Sequence, residues 1–389
     1  MSDRLFDASL VPASLAEATG DAAWLRAMLD VEVALAAAQA ELGLIPEPAA
    51  ASIAAAADSV RLDPAALGRE AARTGTPAEP LVRALRAEVG EETASWVHHG
   101  ATSQDIVDSA AMLVARRALA QVEPALAEAA GACAELAERH RATPMLARTL
   151  LQPALPTTFG LVAARWLVGV DDARKRLDEV SAQRLTVQLG GAAGTLAALG
   201  EDGPAVAAAL ARRLGLSEPV LPWHTLRGPV HALAGALDEA AGAVGKAALD
   251  VVLLAQAEVG EVGEPDDGRG GSSSLPHKRN PIGSVLALAG ARRVHAAAGL
   301  LTGAMLQEHE RAATGTWHSE WAALGEALGL TGGVATTMAA VLGGLEVREE
   351  RMRENLAASG IAELDVAPDP SANLAAASAL IDRALERRR

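Results

Sequence analysis

The sequence predicts an all-α protein built of long helices packed side by side, and three observations carry that reading. Half of the 389 residues are hydrophobic, yet aromatics make up 2% and tyrosine is absent. Alanine and leucine must therefore fill the interior, which suits close helix packing and suits sheets poorly. Five long stretches run almost free of helix breakers, at 106–141, 156–187, 229–262, 281–307 and 319–345. At the rise of an α-helix each spans on the order of 40–50 Å. Alanine lies on every side of these stretches, and a helix that is apolar all round must be buried, here in a bundle shared between subunits.

The elements follow in order. A first helical domain, residues 1–104, opens with a helix from Asp21 to about Leu42 whose apolar groups Leu25, Met28, Leu29, Val33 and Leu35 keep helical spacing and which stops at Gly43 and Pro46. Short helical pieces interrupted by Pro64, Gly75, Pro77 and Pro80 complete it. The texture then changes to a long-helix domain over residues 105–345, its first helix carrying Pro124 as a candidate kink. Residues 346–389 make a short C-terminal domain with a last helix through Ile381 and Leu385 and a solvated tail at Arg387 to Arg389. The chain is long enough for two or three domains and shows no solenoid period.

Composition also excludes functions. A net charge of -15 argues against nucleic acid or an anionic membrane surface as partner. An anionic substrate would meet an opposing field, so its site must concentrate positive charge locally. The single cysteine, Cys133, excludes an internal disulfide and a thiolate metal cluster and reads as a small buried filler. No long unbroken apolar stretch and no basic-then-apolar leader is present, so a soluble cytoplasmic protein is expected.

The most informative segment is Gly270-Gly271-Ser272-Ser273-Ser274-Leu275-Pro276-His277-Lys278-Arg279-Asn280-Pro281. Glycines let backbone N–H groups turn toward a ligand, and hydroxyls sit beside two cations, so the run is suited to gripping an anion near a transferable proton. Composition alone also fits a flexible linker. Asn280 followed by Pro281 reads as an N-cap feeding a helix. The order of residues resembles the signature loop of the fumarase/aspartase superfamily, Gly-Ser-Ser-x-Met-Pro-x-Lys-x-Asn-Pro, with Leu275 in place of Met. That resemblance implies an all-helical homotetramer: a central five-helix bundle from each chain assembles into a twenty-helix core, and three chains build each site. It further implies addition or elimination of a group β to a carboxylate, with no metal and no organic cofactor. Ser272 would be the base, and Lys278 and Asn280 would hold the carboxylate beside the acidic carbon. A serine must be activated by nearby positive charge and N–H groups, which such a loop supplies.

Other segments fall in the family's order. Residues 98–105, His-His-Gly-Ala-Thr-Ser-Gln-Asp, match a segment that supplies a positioned imidazole, here His98, and carboxylate-binding hydroxyls, here Thr102 and Ser103. Read without the resemblance, Ser103 or Asp105 is an N-cap. A helix N-terminus there favours an anion through its free N–H groups. Around Thr149-Leu150-Leu151-Gln152 many members carry a catalytic histidine where this chain has Leu150. Thr149 and Gln152 match as substrate hydrogen-bonders, although local turn chemistry before Pro153 and Pro156 accounts for them equally. An apolar residue cannot relay protons, which counts against fumarase and adenylosuccinate lyase; within the family that the chain resembles, the subfamily that tolerates an apolar residue here is the bacterial 3-carboxy-cis,cis-muconate cycloisomerases.

Pro222-Trp223-His224-Thr225-Leu226-Arg227 and Gln307-Glu308-His309-Glu310-Arg311, with Trp317-His318-Ser319-Glu320-Trp321, resemble segments of the same subfamily. Arg311 is then a carboxylate clamp, and otherwise a surface ion pair with Glu308 or Glu310. Those ligand types also admit a metal site, but neither HExxH nor a cysteine pair supports one. Glu258, Glu261 and Glu264 either position Lys278 and Arg279 or form a solvated face. The C-terminus departs from the pattern of full-length relatives, and the middle of the third domain is expected to be deleted.

The expected activity is cyclisation of 3-carboxy-cis,cis-muconate to 4-carboxymuconolactone through an aci-carboxylate. The rivals are lyases releasing fumarate from substituted succinates, and a helical assembly that has lost catalysis. The expected partners are a small di- or tricarboxylate and further copies of the chain.

Overall fold

In the computed structural model, residues 5–271, 274–275, 278–311, 314–361 and 370–388 are described, 370–375 as backbone alone. The N-terminal part holds α1 (Ala13–Thr19), α2 (Asp21–Glu41), α3 (Glu47–Ser59), α4 (Pro64–Thr74), α5 (Ala78–Val89) and the single turn α6 (Glu91–Ala94). The long helices follow as α7 (Ser103–Arg139), α8 (Phe159–Gln183), α10 (Gly228–Ala255), α11 (Ile282–Gly303) and α12 (Thr316–Gly343), with α9 (Gly203–Leu214) between the second and third of them. The chain finishes with α13 (Glu349–Ala358) and α14 (Pro370–Glu386). The all-α expectation holds.

Each long helix forms where alanine and leucine dominate, and each packs on its neighbours: α7 on α8 and α12, α10 on α8, α11 and α12. Alanine lets the axes come close, and one glycine goes further. A Cβ at Gly333 in α12 would overlap the Leu10 carbonyl, so that the N-terminal segment lies directly on the bundle. Pro124 sits inside α7, which nonetheless runs from Ser103 to Arg139. Burial of Val122, Ala125 and Leu126 around it offsets a cost of about 3 kcal/mol. By length and composition α12 would cross a membrane, yet 72% of its most apolar window is buried inside the fold.

Two expectations need correction. The stretch 156–187 is not helical from its start, because a two-stranded antiparallel hairpin, β1 (Pro144–Thr149) and β2 (Gln152–Thr158), precedes α8. Its strands carry prolines at 144, 153 and 156, tolerable because a two-stranded ribbon has free edges. The stretch 229–262 is helical only to Ala255, after which Gln256 takes an extended conformation and the chain runs into β3 (Val262–Gly263), paired with β4 (Glu346–Val347). The tail is solvent-exposed at Arg387 and Arg388, as expected, and is also tethered: Arg387 pairs with Asp172 and Arg388 donates to the Ala130 carbonyl at 2.8 Å, which ties α14 to α7 and α8.

Some apolar surface remains outside this packing. Leu249 on α10 and Val285 and Leu300 on α11 are 42–50% exposed.

Candidate active site

The predicted residues gather at opposite ends of the bundle. One group surrounds the start of α7. Thr102 is the N-cap and Ser103 the first helical residue, so the reading of Ser103 as a cap gives way to Thr102. Asp105, in the first turn, reaches back to the Thr102 N–H at 2.9 Å. The same carboxylate, 1% exposed, also accepts from the Gly190 N–H at 3.0 Å, the Gly191 N–H at 2.9 Å and His224 Nε2 at 2.7 Å. Four donors on one buried carboxylate satisfy it fully and lock three chain segments together.

Arg311 bonds to Thr102 Oγ1 and, at 3.4 Å, to Gln104 Oε1. Its guanidinium therefore lies on the hydroxyl predicted to bind substrate. Behind it, Arg227, 1% exposed, forks between Asp108 and Glu320. Trp317 Nε1 adds a bond to Asp108 Oδ1 at 2.9 Å, and Gln307 Nε2 one to Glu320 at 3.2 Å. Burial works against the Arg227 charge, yet Asp108 and Glu320 hold its pKa above the ordinary value. Burial pushes the Glu320 carboxyl up even against Arg227. Thr225 Oγ1 donates to the His309 carbonyl at 2.8 Å and ties the Arg311 segment to the start of α10.

His98 stands beside Thr102 in sequence, with φ at 62°, and its Nδ1 lies 2.6 Å from Glu32 Oε1 on α2. Burial lowers the imidazole pKa, but the charge and hydrogen bond of Glu32, helped by Asp105, raise it above the ordinary value overall. The sequence reading missed Glu32, Asp108 and the four-way role of Asp105.

The second group lies where α10 ends and α11 begins. The α10 helix has 28 residues, so the two ends stand roughly 40 Å apart. Thr149 and Gln152 flank the hairpin turn and are exposed. Leu150 and Leu151 form that turn with φ of 52° and 64°. Two positive φ values fit a type I′ turn, which leucine adopts only under strain. Leu150 is 97% exposed. Arg148 holds the hairpin in place through two bonds, 3.1 and 2.8 Å, to the buried Glu261, which also accepts from Asn355 at 2.8 Å.

In the loop, Ser272 lies outside the described residues, as do Ser273, Pro276 and His277. Lys278 is exposed. Asn280 is not the helix cap. Its side chain donates to the Gly270 carbonyl at 2.9 Å and its own N–H bonds the same oxygen at 3.0 Å, closing the loop at its base. Gly270 is required there, since a Cβ at its φ of 73° would overlap the Asn280 carbonyl. The first N–H groups of α11 are taken instead by Glu264, which accepts from Gly283 and Ser284 at 3.0 and 2.7 Å. Of the three glutamates, Glu258 is exposed, while Glu261 is buried on Arg148 and Glu264 is spent on the start of α11; Arg279 pairs with Asp266 at 2.6 Å. A cavity of about 690 Å³ opens beside the loop, lined by Gln256, Glu264, Arg269, Lys278, Asn280 and Arg348. Of the metal-type side chains, His318 bonds the Gly75 carbonyl at 2.9 Å. No group of three or more His, Cys, Asp and Glu side chains able to hold a metal ion occurs among the described residues.

Chemically, one end offers a hydroxyl-rich helix start with a guanidinium and an imidazole, and the other a lysine, an amide and a hairpin tip. The profile of a family described as Lyase matches residues 12–296. The nitrosuccinate lyase of Streptomyces davaonensis is 48% identical over 355 residues, 88% of this chain and 74% of its own length. The 3-carboxy-cis,cis-muconate cycloisomerase of Pseudomonas aeruginosa is 45% identical over 359 residues, 91% of this chain and 78% of its own. The crystal structure of the 3-carboxy-cis,cis-muconate lactonizing enzyme from Pseudomonas putida superposes with a TM-score of 0.89 at 36% identity, covering 99% of this chain and 98% of that one.

Proposed function

The chain belongs to the lyase family, the fumarase/aspartase superfamily whose signature its 270–281 run carries, and from that premise we propose that it is a 3-carboxy-cis,cis-muconate cycloisomerase. One carboxylate of the substrate adds across a double bond of the same molecule. A C–O bond forms, the π pair moves onto the neighbouring carboxylate as an aci-carboxylate, and the Ser272 hydroxyl protonates the carbon α to it. Lys278, Asn280, Thr102, Ser103 and Arg311 hold the doubled negative charge, Thr149 and Gln152 hydrogen-bond the substrate, and His98 stands near the attacking carboxylate. Groups a helix length apart cannot meet on one substrate, so we take the enzyme as a homotetramer in which copies bring opposite ends together. The exposed Leu249, Val285 and Leu300 support that arrangement.

Leu150 carries the choice of reaction. It occupies the tip between Thr149 and Gln152 where relatives place a proton-relaying histidine. In the reverse sense of the cyclisation the leaving group is a carboxylate, a base of pKa about 4, which departs without being protonated. A purine amine is a far stronger base and needs an acid. Nitrite is also a weak base, so Leu150 suits a nitrosuccinate lyase as well, and the 48% identity to that enzyme favours this second reading. An ultraviolet assay separates the two. Loss of diene absorbance with carboxymuconate supports the cycloisomerase. Unchanged absorbance, with nitrite and fumarate released from nitrosuccinate, overturns it.

A further inference from the structure

We propose that Glu32 is a positioning residue that holds His98 as an imidazolium, so that the start of α7 meets a substrate carboxylate or departing anion with a fixed positive donor. The proposal deepens the carboxylate chemistry above and rests on it. Glu32 lies among apolar groups of α2 at helical spacing, with Met28, Leu29 and Leu35 buried on the same helix. Its side chain is 1% exposed, one oxygen sits 2.6 Å from His98 Nδ1, and the other is buried with no hydrogen-bond partner among the described residues. An isolated carboxylate so placed would cost several kcal/mol, and the imidazolium is the neighbouring cation bonded to it.

The backbone around His98 is held from three sides. Gln39 Nε2 donates to the His99 carbonyl at 2.7 Å, Arg86 donates to the Val97 carbonyl at 3.1 Å, and Leu199 packs on Gly100. These contacts maintain a left-handed conformation that costs about 1–3 kcal/mol. With Nδ1 committed to Glu32, any ligand bond from the ring must use Nε2. A ring charged in this way need not surrender a proton, which agrees with a weakly basic leaving group.

The charged groups that act on His98 are Glu32 from α2, Asp105 from the first turn of α7 and Arg86 from α5, and Leu199 packs nearby on Gly100. Burial and Arg86 disfavour the imidazolium, Glu32 and Asp105 favour it, and the balance lies toward charge. Anion affinity should therefore be full at low pH and be lost as pH rises through the raised His98 pKa, above the ordinary value of about 6.5.

The test uses succinate as probe on the intact enzyme. Its affinity is measured by calorimetry across pH 5.5–9, and the His98 ring is followed by NMR, assigned by difference with His98→Gln. Glu32→Gln keeps an acceptor for Nδ1–H and removes the charge. The expected result is that the ring titration and the affinity step share one midpoint in the parent, that both move to lower pH in Glu32→Gln, and that affinity near pH 7.5 is about tenfold weaker. In His98→Gln the step disappears. An unmoved His98 titration, or succinate affinity indifferent to it, overturns the proposal; if Glu32→Gln does not fold, persistence of the step in His98→Gln does so alone. Absence of turnover with carboxymuconate while these shifts hold would instead count against the substrate assignment.

Discussion

The two ends of the bundle are built on opposite principles. Around the start of α7, charge is answered within the chain at three points: Asp105 by four donors, Arg227 by two carboxylates, His98 by Glu32. Around the start of α11, fixed groups such as Glu264 and Glu261 hold the base of the loop and the hairpin, while Lys278, Thr149 and Gln152 point to solvent. The first end is preorganised by bonds within the chain. The second leaves Lys278, Thr149 and Gln152 exposed. If copies of the chain bring opposite ends together, as proposed above, a preorganised half-site would meet one whose groups are still exposed.

Breaking the presenting end should cost the most activity. Ser272→Ala is expected to reduce kcat by at least about 10²–10³-fold, and Lys278→Met by a comparable factor, with thermal stability unchanged; calorimetry beside the steady-state assay checks both. Full activity in Ser272→Ala would sink the proton-transfer assignment. Breaking the preorganised end should instead show first in stability. Asp108→Ala leaves Arg227 under-paired inside the bundle, and a loss of about 3–5 kcal/mol is expected in denaturant unfolding; a loss below 1 kcal/mol would mean that water reaches the site. A smaller effect sharpens the contrast. Replacing Leu150–Leu151 by Asn–Gly relieves two left-handed leucines and should stabilise the chain by about 1 kcal/mol, while raising KM if the tip meets substrate.

The pH dependence of stability tests the His98 pair separately. A group whose folded pKa is raised contributes stability that is complete below its unfolded value. That contribution is lost as pH rises through the folded value. His98 should thus favour the fold up to about pH 6.5 and lose its share above it, and His98→Gln should flatten the unfolding midpoint in that window.

The long helices were legible because alanine runs between glycines and prolines leave no other regular structure. The hairpin was not, since Pro144, Pro153 and Pro156 mask any strand alternation and its anchor, Glu261, lies more than a hundred residues away. Of the site, the motif residues were legible as types, but their separation was not, because motif order says nothing about which end of a helix a segment occupies. Glu32 carried a readable signal: a carboxylate in step with Met28, Leu29 and Leu35 sits on the face that must be buried. Asn280 misled for a physical reason, since the amide of an Asn before Pro is a good cap until a carboxylate, Glu264, takes the same N–H groups.

The distance between the two ends also has a genetic reading. If each site draws its halves from different copies, a chain crippled at Arg311 and a chain crippled at Lys278 fail separately for unrelated reasons. Mixed oligomers of the two would contain some sites built only from intact halves. Alleles damaged at opposite ends should therefore complement one another in the same cell, and alleles damaged at the same end should not.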